Sequence, residues 1–240
     1  MPSSPQLLLN PAPQVIFLDA MGTLFDLKTS VGEIYQEFAA RYGVTADSEQ
    51  IQPAFIASFK AAPPLAFPPA ELAIIQQQEF AWWQQVVSET FKSLEIKDKF
   101  QDFAAFFTEV YAYFATKDPW CVFPDTVKSL NRWRDRGIEL GIISNFDSRL
   151  IKVLKLLELD KYFNSTTISS TAGFAKPETN IFHIALAKHN VTSQAALHIG
   201  DNPVEDYQGA AKAGLKSFWL NRHARLLNIE NQLPNLCSLG

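Results

Sequence analysis

Cysteine is scarce. Cys121 and Cys237 are the only two in 240 residues, too few for a disulfide framework and in no spacing that would hold a metal. Both read as idle or buried thiols of a protein kept in a reducing compartment. No apolar run approaches the ~20 residues of a membrane-crossing helix, so no span is expected. The opening Met1-Pro2-Ser3-Ser4-Pro5 lacks a basic patch followed by an apolar stretch, so no secretory signal is expected either. Charge is sparse and nearly balanced, with 21 Lys+Arg against 25 Asp+Glu for a net −4. Without a basic block there is no electrostatic footprint for nucleic acid or an anionic membrane surface. The expectation is a cytoplasmic protein with a small-molecule partner and an open oligomeric state.

What the chain does hold is apolar mass, 47% hydrophobic and 12% aromatic. That excludes a disordered chain, and the length allows one large domain or two modest ones. Val15-Ile16-Phe17-Leu18 is a short apolar run closed by Asp19, the pattern of a strand buried on both faces. Similar runs follow at 138–143, 167–170, 195–199 and 217–220. Helix-like stretches lie between them, at 125–136, 149–159, from Pro177 onward, and 206–213. Gly137 is placed to end the first and Pro177 to open the third. Strands alternating with helices require crossovers and a parallel sheet.

Residues 28–118 interrupt this alternation with no convincing strand. Ile34, Phe38 and Tyr42 share a helical face, as do Phe80, Trp83 and Val87, and then Phe103, Phe107, Val110 and Phe114. These stripes read as core packing rather than as the lining of a ligand cavity. The segment is expected to be an all-helical insertion.

Four short segments fall just past predicted strands or before predicted helices: Asp19 to Leu24, Ser144-Asn145, Lys176-Pro177, and Gly200 to Asp206. In an open parallel sheet that edge is where ligands bind. Their residue types suit phosphate chemistry. A carboxylate can attack phosphorus, and Lys176 with a metal can neutralise the dianion. Ser144 and Asn145 can donate hydrogen bonds to it. Asp19 and Asp201 offer the oxygen ligands that Mg²⁺ prefers. Gly22 permits a tight turn that aims amides at the anion.

In this order the segments resemble the haloacid dehalogenase-like hydrolase superfamily, subfamily I with the helical C1 cap, over about residues 14–222. Trp82-Trp83 and the run Ile199-Gly200-Asp201-Asn202 bring the resemblance nearer to a capped branch without an assigned substrate. The resemblance implies an α/β fold. Its Rossmann-like core of parallel strands in the order 5-4-1-2-3 would be formed by residues 1–27 and 119–240, with an all-helical cap at 28–118. It also implies roles. Asp19 would be the nucleophile, and Asp19, the Met21 carbonyl and Asp201 would hold Mg²⁺, with Asp206 an auxiliary metal carboxylate. Ser144, Asn145 and Lys176 would hold the phosphoryl group beside the Gly22-Thr23 turn. The cap would set specificity, with Trp82, Trp83, Phe106 and Tyr111 available to face the site and Phe25 and Phe146 to shape its entrance.

One residue departs from the phosphatase pattern. Met21 stands where the family has a second Asp, the group that protonates the leaving oxygen and then activates water. A thioether has no proton to give. General acid–base catalysis is worth ~10²–10⁴-fold. Three readings follow: a slow Mg²⁺-dependent phosphohydrolase or one restricted to good leaving groups, a 2-haloacid dehalogenase, and a binding protein that has lost turnover. The dehalogenase pattern also lacks the second Asp, but it uses a cap arginine and no metal. Arg41 is the one arginine between residues 27 and 118, and its place before Gly43 suits a helix C-terminus equally well. His198, inside a strand, reads as a core histidine.

Overall fold

The computed structural model describes residues 12–222 and 231–239. The N-terminal residues considered above for a secretory signal lie outside the described residues. Among those described, no helix is long and apolar enough to cross a membrane.

The apolar runs form the centre of a six-stranded sheet ordered β5-β4-β1-β6-β7-β8. Its strands are β1 (Val15–Leu18), β4 (Glu139–Ser144), β5 (Ser165–Ile168), β6 (Ala196–Gly200), β7 (Lys216–Leu220) and β8 (Gln232–Leu233). Every pairing is parallel. Read from β7 to β5, the first five core strands take the expected 5-4-1-2-3 order, and β8 adds a sixth at the edge. All four residues of β1 are buried. Its two faces serve two cores, with Ile16 and Leu18 among α5 and α6 residues and Val15 and Phe17 against α8. The crossover helices are α5 (Thr126–Asp135), α6 (Arg149–Leu156), the one-turn α7 (Ser169–Ala172), α8 (Thr179–His189) and the one-turn α9 (Gly209–Lys212).

Residues 31–113 hold four helices and no strand: α1 (Val31–Arg41), α2 (Ser48–Ala61), α3 (Leu72–Ser93) and α4 (Phe103–Tyr113). Local chemistry starts them. Ser30 and Glu33 cap α1 reciprocally, and Asp102 accepts from the Ala105 amide at the head of α4. Ile34, Tyr35 and Phe38 turn inward against Phe91, Phe106 and Phe107 to make a separate core. At the two junctions with the sheet lies an antiparallel ribbon, β2 (Phe25–Leu27) on β3 (Trp120–Val122). Three-residue strands carry too little alternation to be read from sequence.

Several boundaries differ from expectation. The strand expected at 167–170 ends at Ile168, and Ser169 opens α7. Pro177 does not open α8, which starts at Thr179 after an extended Glu178. The helix expected over 206–213 is a π-helical turn at Pro203–Gln208 followed by α9, and Asn202 caps it by accepting from the Val204 and Glu205 amides.

Candidate active site

Strand register assembles the site. Leu18 pairs with Ile142 on one side and Ile199 on the other, so Asp19 emerges beside Ser144 and beside Gly200-Asp201. The loops after β1, β4 and β6 therefore meet at the C-terminal edge of the sheet. Gly22, at φ +82°, turns the first loop back, and a Cβ there would come within 2.5 Å of an Asp201 carboxylate oxygen. Only glycine fits both demands. A Cβ on Gly200 would overlap the Asp206 carboxylate, which the π-helical turn folds back against the strand.

Lys176 is the hub. Its buried ammonium donates to Asp19 Oδ1 at 2.7 Å and to Asp206 Oδ1 at 2.5 Å. Asp206 Oδ1 also meets His198 Nε2 at 2.8 Å, while its Oδ2 accepts from the Asn202 amide at 3.1 Å. Thr23 Oγ1 reaches Asp201 at 3.4 Å, and the Ser144 hydroxyl favours the charged form of the Asp19 carboxyl. Asn145 acts on backbone. Its Oδ1 accepts from the Lys176 amide at 2.7 Å, and its Nδ2 donates to the Lys176 carbonyl at 2.9 Å and to Glu205 at 3.0 Å. A two-way amide clamp of this kind fixes where the lysine side chain starts.

The charge is unbalanced. Ligand atoms of Asp19, Asp201 and Asp206 lie within 4.8 Å of one another around a single ammonium. Burial raises the Asp19 carboxyl above the ordinary carboxylate value although Lys176 opposes it. Asp201 is pushed up to about 7, first by burial and then by the charges of Asp19 and Asp206. Burial would raise Asp206 too, but Lys176 and His198 hold it well below the usual range. Lys176 is desolvated, yet the two carboxylates outweigh that and raise it. Three hard oxygen donors with excess negative charge fit a divalent cation such as Mg²⁺. Asp19 and Asp201 have the freer oxygens, whereas Asp206 spends both on Lys176, His198 and Asn202.

Two cavities share this edge. One holds Asp19, Gly22, Ser144, Lys176, Asp201 and Asp206. A second, of about 600 Å³, extends from it under the helices and is lined mainly by apolar and aromatic side chains. Met21, Phe59, Asn145, Phe146, Lys176 and Glu205 border both. Trp82, Trp83 and Tyr111 line the larger cavity, whereas Phe106 is buried in the helical core. The stripe residues Val87, Phe107, Val110 and Phe114 serve as core and as cavity wall together. Phe25 is not at the entrance. It is fully buried, edge-on to Trp120 at 5.3 Å.

Helices and sheet are clasped beside the cavity. Buried Glu79 of α3 accepts from the Ser148 amide and hydroxyl at 2.8 and 2.6 Å and from Ser170 Oγ at 2.6 Å. Trp83 Nε1 donates to Asp147 at 2.7 Å, and Asp147 holds Arg149 in a bidentate pair against the Tyr111 ring. Glu79→Ala leaves three donors unpaired at this junction and is expected to cost on the order of 3 kcal/mol, readable by urea denaturation.

Sequence reasoning passed over His198, Glu205, Asp147 and Arg149 as site residues. Each is recruited by a contact made across the fold or back along a turn. Arg41, in contrast, lies at the surface, paired with Glu37 at 2.5 Å and Glu109 at 2.8 Å, and does not line either cavity.

Fold and site together define an open parallel α/β protein whose acidic loops and buried lysine meet at the carboxyl ends of the strands. A family model described as haloacid dehalogenase-like hydrolase matches residues 13–214, and the chain belongs to that family. Haloacid dehalogenase-like hydrolase domain-containing protein 3 of Xenopus laevis is 30% identical over 210 residues, 87% of this chain and 84% of that protein. Two solved structures share the fold. A HAD phosphatase from Thermococcus onnurineus is 21% identical with a TM-score of 0.64, covering 93% and 94% of the two chains. L-2-haloacid dehalogenase from Xanthobacter autotrophicus is 14% identical with a TM-score of 0.69, covering 94% and 96%.

Proposed function

We propose that the protein is a Mg²⁺-dependent phosphohydrolase of small phosphorylated molecules, using Asp19 as nucleophile and working without a general acid at Met21. The observation that carries this reading is the Lys176 ammonium held between Asp19 and Asp206 with Asp201 alongside. Lys176 neutralises a phosphoryl oxygen and keeps the Asp19 carboxylate aimed. Ser144 supplies a donor to the same group, and Asn145 fixes the lysine through its backbone. The Gly22 and Thr23 amides, expected to face the anion, are instead spent on the Phe25 and Ala20 carbonyls, so this turn shapes the loop rather than binding phosphate. Asp19 and Asp201 would hold the metal, with the Met21 carbonyl as a third oxygen, and Asp206 would act on it through Lys176. The bound metal supplies charge neutralisation for the phosphate. The helices at 31–113 serve as a cap over the core, in a cytoplasmic setting with Cys121 an exposed thiol.

A dehalogenase reading has less support here. Its cap arginine is missing from the cavity, since Arg41 is spent on surface glutamates, and Arg149 comes from α6 of the core and is held by Asp147 and the Tyr111 carbonyl. The test is hydrolysis of a chromogenic phosphate monoester with and without Mg²⁺. Asp19→Asn is expected to remove the metal-dependent rate, a loss of at least ~10³-fold. Activity that survives Asp19→Asn, or chloride release from a 2-chloro acid without metal, overturns the reading.

A further inference from the structure

The larger cavity places an unusual demand on whatever fills it. A typical small-molecule pocket carries a few convergent polar groups that orient its ligand. Here most of the polar side chains on the wall are already committed. Trp82 Nε1 donates to the Pro63 carbonyl at 2.9 Å and Trp83 Nε1 to Asp147 at 2.7 Å. Both ends of the Asn145 amide are bonded, and Arg149 donates through Nε, NH1 and NH2 to Asp147 and the Tyr111 carbonyl. What remains for a ligand is the Tyr35 and Tyr111 hydroxyls, the Glu205 carboxylate, the two further N–H groups of Arg149 and the exposed Lys60. A sugar phosphate entering here would surrender several hydroxyl–water bonds for few replacements. Flat apolar surface loses nothing by the same transfer, and it meets Phe55, Phe59, Trp83, Phe107, Phe114 and Phe146.

The second observation is the residue at the junction. Met21 borders both cavities, between the acidic edge and the apolar chamber. A thioether cannot protonate a departing oxygen. An alkoxide leaving unprotonated resembles hydroxide, whereas a phenolate is roughly six pKa units less basic. Cavity wall and junction therefore select the same chemistry.

We infer that the substrates are phosphate monoesters of phenol-type hydroxyls on an aromatic body that fills the cavity beneath the helices, an inference resting on the phosphohydrolase reading above. Asp19 Oδ attacks phosphorus, the bond from phosphorus to the aryl oxygen breaks, and the electron pair leaves on the aryloxide without a proton from the protein. Water then attacks phosphorus of the aspartyl phosphate, the Asp19 carboxylate departs, and the water's proton leaves with inorganic phosphate.

The experiment uses the full chain with Mg²⁺ in two arms. The first measures kcat/KM for substituted phenyl phosphates, 2-phenylethyl phosphate and glucose 6-phosphate. The second measures thermal stabilisation by phenylphosphonate and methylphosphonate, which cannot turn over. Aryl esters are expected to exceed alkyl and sugar esters by about 100-fold or more, with rates falling steeply as the leaving phenol becomes more basic. Met21→Asp is expected to flatten that slope, and phenylphosphonate to stabilise more than methylphosphonate. A sugar or alkyl ester within threefold of the aryl esters, or equal stabilisation by the two phosphonates, overturns this inference while leaving the phosphohydrolase reading standing. No hydrolysis of any ester together with no stabilisation by either phosphonate overturns the phosphohydrolase reading itself.

Discussion

Lys176→Met is expected to be the most damaging single change to stability in the sheet. The ammonium lies between two carboxylates that are themselves almost out of solvent, with side chains of Lys176 and Asp206 exposed by 1% and 2% and that of Asp19 by 11%. Methionine matches the length but returns no charge. Asp19, Asp201 and Asp206 would then face one another with no ammonium among them. Breaking a buried pair from one side typically costs about 3–5 kcal/mol, because the surviving charge is stranded. For a chain of this size that corresponds to a melting temperature lower by on the order of 10 °C. The sign of its pH dependence is a further check. Without Lys176 the clustered carboxyls sit above their unfolded values, so the folded state binds protons first and gains stability as pH falls. The gap from wild type in urea melts should therefore narrow toward acid pH. A gap that widens there would mean the pair is not what holds this edge together.

How much of this was legible beforehand varies with the kind of signal. Strands β1, β4 and β6 are legible because a parallel strand buried on both faces is a nearly continuous apolar run, and each gives way to a polar residue at the sheet edge. The 5-4-1-2-3 order came with the family resemblance, and Asp19, Ser144, Lys176 and Asp201 do converge. β8, with two residues, and the β2–β3 ribbon carry too few positions for periodicity to show. His198 was read as a core histidine, and buried it is, yet its ring meets Asp206. That contact exists because Pro203–Gln208 winds as a π-helical turn and brings Asp206 back under the end of β6, a geometry no residue pattern here encodes. Arg149 looked like the first residue of a helix and nothing more. Its role beside the cavity depends on Tyr111, 38 residues earlier and on a different layer. Aromatic stripes were equally ambiguous, since a helix that roofs a cavity and one that seals a core show the same spacing.

Met21→Asp is expected to raise the hydrolysis of alkyl phosphates by about 10²-fold or more. The site around it already has what a general acid would serve. The Asp19 carboxylate, the proposed nucleophile, stands against a fixed lysine with Ser144 beside it. Met21 is half-buried, packed on the sheet core on one side and bordering both cavities on the other, so a shorter Asp side chain there has open volume to enter. Two effects compete. A fourth carboxyl raises the local negative charge, which keeps its proton on and suits it to act as an acid. The same charge discourages a dianionic substrate, which Mg²⁺ and Lys176 must offset. The first effect bears on kcat and the second on KM, so the two separate kinetically. A rise in kcat/KM for alkyl esters with little change in kcat/KM for aryl esters would show that position 21 sets which leaving groups the site can release. A variant folded like wild type but no faster on any ester would mean that the loop from Asp19 to Leu24 does not present this position to the leaving oxygen.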